Sequence, residues 1–112
     1  MAKQEEQLNA VFSALSDPTR RHIIERLARG PLSVGEIAAG FLISQPAISR
    51  HVRVLEESGL IAREVNGRVH RCRISPERMA AAASWIETQR DFWNATFDRL
   101  DALLARKGKK KS

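Results

Sequence analysis

The chain has 112 residues, of which 43% are apolar and 29% charged, with a formal charge of +6 and a pI near 10.4. That length supports one domain with a real core and is too short for two, while the apolar fraction excludes a chain disordered throughout. The basic balance points to a polyanionic partner, nucleic acid before membrane, although the closing KGKKKS supplies four of the lysines by itself.

A single cysteine, Cys72, excludes an internal disulfide framework and fits a reducing cytosol. The N-terminal MAKQEEQLNAVF lacks the charged-then-apolar order of a signal peptide, and no apolar run approaches the ~18 residues of a membrane span. A cytoplasmic protein without a membrane partner is expected.

Residues 4–15 place Leu8, Val11, Phe12 and Leu15 on one face, which predicts an amphipathic helix. Asp17 as N-cap with Pro18 at the first helical position starts a second helix, and Gly30-Pro31 stops it. Its buried stripe is Ile23, Ile24 and Leu27. Arg20, Arg21, Arg26 and Arg29 are left for water or a partner. Ser33 and Glu36 form the capping-box pattern of a third, short helix that ends near Gly40. Phe41, Leu42 and Ile43 then link to Ser44.

The segment Ser44–Gly59 reads as a helix with Ser44 as N-cap, Pro46 in the first turn and Gly59 just past its end. Ile48, Val52 and Leu55 make one apolar stripe at i, i+4 and i+7. Gln45, Ser49, Arg50 and Arg53 lie opposite, all able to donate hydrogen bonds. Such a helix suits a groove lined with phosphates and base edges. Gln45, Ser49 and Arg50 are expected at base edges and Arg53 at phosphate. Two short helices joined by a turn, the second presenting polar groups, match a helix-turn-helix.

The β-prone Leu60–Val65, the hairpin signal Asn66-Gly67 and a returning strand over 68–74 predict a wing. Alternation sets Arg71 and Arg73 on one face and His70, Cys72 and Ile74 on the other, with Arg68 at the tip. Arg68 is a candidate contact to phosphate or the minor groove, and Arg71 and Arg73 are either further contacts of that kind or groups that keep the strand face soluble. Ser75-Pro76-Glu77 opens the longest helix, expected to reach about Ala105. Its stripe of Met79, Ile86, Trp93, Phe97, Leu100 and Leu104, widened by Trp85, Phe92 and Leu103, is more aromatic surface than a small monomer covers. A dimer interface built from Leu8, Phe12, Trp85, Phe92, Trp93, Phe97 and Leu100 is therefore expected. Residues 1–106 form one winged-helix DNA-binding and dimerisation domain in this reading, followed by a basic, mobile tail over 107–112.

The fold class expected is mainly α with a small β-hairpin, a winged helix-turn-helix. The helix start DPTR, the block SQPAISRHVRVLEESGLI and the wing NGR occur in an order and spacing that resemble the ArsR-type winged-helix repressors of bacteria, over roughly residues 8–75. The resemblance implies a homodimer that binds a two-fold-related operator in double-stranded DNA and blocks transcription, often of its own gene. It also implies that the helix over 44–58 reads the major groove and that the hairpin over 61–74 is the wing.

One departure bears on mechanism. Metal sensors of that family hold soft ions through cysteines on the helix after Ser33, or zinc through Asp and His on the last helix. Here EIAAGF has no thiol and the long helix has no histidine. The sequence resembles the branch without a recognised metal site, so neither a metal nor a cofactor is expected, and no effector is named by any residue. His51 is expected to pack against a neighbouring helix. Cys72 is expected to fill space, with an oxidation-sensing role only if it were exposed. A nonspecific architectural DNA binder and a protein-interaction module are the competing readings. An enzyme has no phosphate loop, triad or metal set to stand on.

Overall fold

A computed structural model describes residues 2–111, with side chains described for residues 3–106. The elements are α1 (Ala2–Leu15), α2 (Pro18–Leu27), α3 (Val34–Ala39), α4 (Gln45–Glu57), β1 (Ile61–Asn66), β2 (Val69–Ile74) and α5 (Pro76–Lys111). Two compact units are present, Met1–Ala82 and Ala83–Ser112. The architecture is the winged helix-turn-helix expected.

Three helices of the first unit, α2, α3 and α4, start where their caps dictate. The Asp17 carboxylate accepts the Arg20 backbone N–H at 3.1 Å with Pro18 following. Ser33 and Glu36 complete a reciprocal capping box, at 3.1 Å and 2.9 Å. The Ser44 hydroxyl accepts the Ala47 N–H at 3.3 Å. The core gathers Val11, Ile23, Leu27, Ile37, Ile48, Val52, Leu55, Leu60, Ile61, Cys72 and Ala82, with Leu8, Phe12, Leu15 and Met79 packed against it. Ile24 is only half-buried, at the margin of that cluster rather than in it. The stripe of α4 (Ile48, Val52 and Leu55) is wholly sequestered, at 0% exposure. Full burial of such side chains stabilises by about 1.5–3 kcal/mol each, which commits the opposite side of α4 to solvent.

The hairpin differs from expectation by one residue at its turn. Asn66 still pairs with Val69, so Gly67 and Arg68 are the central residues. Gly67 has φ +64°, and among the described residues only glycines have positive φ. A left-handed residue at the first central position only is the II′ pattern. The I′ turn that Asn-Gly favours needs two. The sequence also gave no sign of a third strand segment. Leu32 bridges the free edge of β2, its N–H donating to the Cys72 carbonyl at 3.0 Å and its carbonyl accepting the Cys72 N–H at 2.7 Å. The wing is thereby stitched to the loop between α2 and α3.

In the second unit, α5 continues as one helix to Lys111, beyond the Ala105 end expected. It passes Ala105 because residues 106–111 hold no proline and only Gly108 as a helix breaker. The expected mobile tail falls on residues 107–112, whose side chains, and Ser112 entirely, lie outside the described residues.

Gly59 follows α4 with φ +80°, and a Cβ there would meet the Arg78 side chain. Gly59→Ala should therefore cost about 1–2 kcal/mol from the left-handed backbone alone, plus the displacement of Arg78. Urea unfolding of G59A and of G59A/R78A separates the two effects. A second outcome concerns acid. The Asp17 carboxyl lies below its ordinary range, first because of the Arg20 backbone N–H it accepts, then through His51 and the Arg20 charge. A depressed folded value means that its contribution is present at neutral pH and fades as pH falls through the folded value. Asp17→Ala should cost about 1 kcal/mol at neutral pH, and the gap to the wild type should shrink below about pH 4 in thermal melts followed across pH.

Candidate nucleic-acid interface

The exposed side of α4 carries Gln45, Ser49, Arg50 and Arg53, together with Pro46 and Glu57. The helical period and the buried stripe together turn these positions outward. No side-chain hydrogen bond or ion pair to another described residue engages Gln45, Ser49, Arg50 or Arg53. Four donor-bearing side chains on one face, two of them permanently cationic, are free to bond an external acceptor. The carboxylate of Glu56, on the same helix, is neutralised by Arg63 of β1 at 2.6 Å, which also fixes the end of α4 to the hairpin.

The other predicted arginines divide. Arg68 is exposed at the II′ turn with no partner among the described residues. Arg71 is exposed on the hairpin face, opposite Glu64 in register, and its charge helps hold Glu36 below the carboxylate range, after the Ser33 hydrogen bonds. Arg73 is occupied, its Nε 2.8 Å from a Glu64 carboxylate oxygen.

Arg20, Arg21 and Arg26 turn out to be internal hardware. Arg20 Nε donates to the Ala14 carbonyl at 2.6 Å and Nη2 to that of Ser13 at 3.2 Å, while Arg21 Nη1 donates to Leu15 at 2.7 Å. These close the last carbonyls of α1, which have no intrahelical partner. Arg26 does the same for Ile37 of α3 at 2.6 Å. His51, half-buried on the inner flank of α4, meets Arg20 Nη1 at 3.3 Å through Nδ1. Sequence spacing offered no signal for that contact, which spans 31 positions.

Cys72 is 1% exposed, and burial pushes its thiol up, away from thiolate. It fills space between the wing and the core, and the redox reading loses the exposure it required. Among the described residues, no three His, Cys, Asp or Glu side chains are placed to hold a metal ion. No helix of those residues is long and apolar enough to cross a membrane.

The candidate dimer residues fall in two places. Leu8 and Phe12 are half-buried against the core of the first unit. In the second unit, Trp85, Phe92, Trp93, Phe97 and Leu100 are each about half exposed. Trp93 stacks edge-on with Phe92 at 5.6 Å and lies 6.1 Å from Phe97. A single helix has no interior of its own, so this stripe is left for another surface to cover.

Comparison with known proteins fits this geometry. The family model for bacterial regulatory proteins of the arsR family matches residues 17–63, the segment from the α2 cap to β1. The HTH-type transcriptional regulator Rv2034 of Mycobacterium tuberculosis is 35% identical over 97 residues, covering 87% of this chain and 88% of its own length. The transcriptional repressor SdpR of Bacillus subtilis is 46% identical over 55 residues, 49% of this chain and 61% of that protein. A solved homodimeric winged helix-turn-helix DNA-binding domain from Mycobacterium bovis, a possible ArsR-family regulator, superposes with a TM-score of 0.65. It is 26% identical and covers 80% of this chain and 83% of that one. With a relative 35% identical over 88% of its length, and the family model lying over the helix pair that presents the open face of α4, the chain belongs to the arsR family of bacterial regulatory proteins.

Proposed function

We propose that this protein is a homodimeric transcriptional repressor that binds a two-fold-related operator in double-stranded DNA. The observation that carries the reading is α4, with one side wholly buried and the other offering Gln45, Ser49, Arg50 and Arg53 unengaged. Each protomer places α4 in a major groove, the two sites ~34 Å apart along the duplex. Arg50 and Gln45 have the fork geometry that reads guanine and adenine edges, and Ser49 can serve either base; Arg53 positions on phosphate. Arg68, at the turn, and Arg71, on the hairpin face, contact the backbone or the minor groove beside the wing.

Dimerisation follows from the second unit. Phe92, Trp93, Phe97 and Leu100 need cover, and a second copy of the same stripe supplies it isologously; Trp85, Leu8 and Phe12 join that interface. The homodimer and repressor named among the relatives support this assembly and this outcome. Repression follows from occupancy, since a dimer on its operator excludes polymerase. The reading includes no catalytic step, cofactor or metal, and places the protein in the cytoplasm.

Fluorescence anisotropy of the full chain, on duplex from upstream of its own gene and on random duplex, tests the reading across a salt series. A preference of about 1,000-fold is expected. Equal affinity for both would favour architectural binding, and no binding to either at low salt would overturn the reading. Arg50→Ala should cost about 1–3 kcal/mol on the operator and little on random duplex, whereas Arg68→Ala should weaken both alike and lower the salt slope by about 1. In sedimentation, Trp93→Arg should shift the protein to monomer at concentrations where the wild type is a dimer, and operator affinity should fall with it.

A further inference from the structure

Three asparagines occur in the chain, Asn9, Asn66 and Asn94. Asn9 and Asn94 lie inside α1 and α5, each followed by an alanine whose N–H is taken up by its helix. Asn66 is placed differently. It ends β1, is exposed, and precedes Gly67 at the first central position of the hairpin turn. Its side-chain amide makes no hydrogen bond to another described residue, and the Gly67 N–H has no acceptor among them. Gly67 carries no Cβ, and the space one would fill is open, with nothing within 4 Å. An unbonded, unshielded main-chain nitrogen therefore stands one residue from an unbonded carboxamide.

Those are the conditions under which an asparagine closes on its neighbour. The Gly67 nitrogen gives up its proton to solvent and bonds to Asn66 Cγ. The bond from Cγ to the side-chain nitrogen breaks, and that nitrogen leaves as ammonia. A cyclic imide remains, and water opens it at one of its two carbonyls. Opening at Cγ leaves aspartate; opening at the main-chain carbonyl leaves isoaspartate, in which the chain runs through the former side chain. The sum exchanges one carboxamide and one water for one carboxylic acid and one ammonia, with no oxidant and no cofactor. Thermolability of asparagine has this chemistry as a source.

Either product bears on the wing. Asn66 pairs with Val69 and shares a hairpin face with Glu64 and Arg71, so Arg71 is its diagonal neighbour. Glu64, Asn66, Val69 and Arg71 line one cleft beside Pro31. Arg68 lies two residues on, exposed and without a partner among the described residues. Glu64 is already held by Arg73 at 2.8 Å, which leaves Arg68 and Arg71 to meet a new carboxylate. These are the two hairpin arginines that the repressor reading turns toward DNA. Isoaspartate does more, because its added main-chain carbon displaces the register that pairs position 66 with Val69.

We propose that Asn66-Gly67 is a self-modification site, at which the protein converts Asn66 to a carboxylate without an enzyme and so weakens the hold of its wing on DNA as it ages. The effect on DNA rests on the repressor reading above; the conversion itself does not.

Full-length protein held at physiological temperature and followed by peptide mass spectrometry tests the conversion. The mass gain of an NH2-to-OH exchange is expected on the peptide with Asn66, while Asn9 and Asn94 stay unchanged. Asn66→Gln, whose longer side chain would have to close a larger ring, should show no gain there. No gain at Asn66, or one no faster than at Asn9 and Asn94, would overturn the site. Converted and fresh protein, separated by ion exchange, are then compared on a duplex selected from a randomised pool and on random duplex. The converted form should bind both about two- to fivefold more weakly at low salt, with a salt slope lower by about 1. Asn66→Asp should reproduce that loss without incubation, and incubated Asn66→Gln should keep its starting affinity. Equal binding by converted and fresh protein would overturn the effect on the wing. Failure of the fresh protein to bind either duplex would instead overturn the repressor reading, and the mass gain would still decide the modification.

Discussion

The burial of one stripe of α4 is the constraint on which the rest of the first unit depends. Ile48, Val52 and Leu55 are closed off by residues drawn from α1, α2, α3 and the hairpin. A side chain cannot face both a core and a groove. Every contact that sequesters those three therefore also fixes the direction in which Ser49, Arg50 and Arg53 point. In the proposed function packing and recognition are two sides of one helix, and the energy that orders the core preorganises the exposed face.

Around that helix the polar hardware is short-range and specific. Asp17, Ser33 and Ser44 start α2, α3 and α4; Arg20 and Arg21 finish α1, and Arg26 the end of α3, by donating to carbonyls of the last turn. Arg63 and Glu56 tie the far end of α4 to β1. Part of the basic composition is thus consumed inside the fold. The arginines without an acceptor among the described residues, above all Arg50, Arg53 and Arg68, are the ones that the proposed function turns toward DNA.

The elements that were legible in the sequence are those set by local rules. Asp-Pro, the Ser33–Glu36 box and the i, i+4, i+7 stripe of α4 each need only a few neighbouring residues, and each stands where its pattern put it. The alternation that sent Cys72 inward held for the same reason. The turn residues were displaced because the Asn-Gly preference is local, whereas the register that pairs Asn66 with Val69 is set across the hairpin and anchored by Leu32. The arginine roles were hidden because their acceptors are backbone carbonyls, which every residue has and no side-chain pattern marks. The open face of α4 was legible as chemistry, while its attachment through His51 and Arg20 required the tertiary fold.

The bridge between Leu32 and Cys72 gives the wing an uneven stiffness. At its root, β2 is bonded on both edges, to β1 and to Leu32, and the Ser75 N–H donates to the Leu60 carbonyl at 2.8 Å just below. At its tip, Val65, Gly67, Arg68 and Val69 are exposed and held by the hairpin pairing alone. The hairpin is a lever on a fixed fulcrum. Its base is fixed from both sides, and in the proposed function the less tethered end is the part that meets a DNA backbone whose groove width varies with sequence.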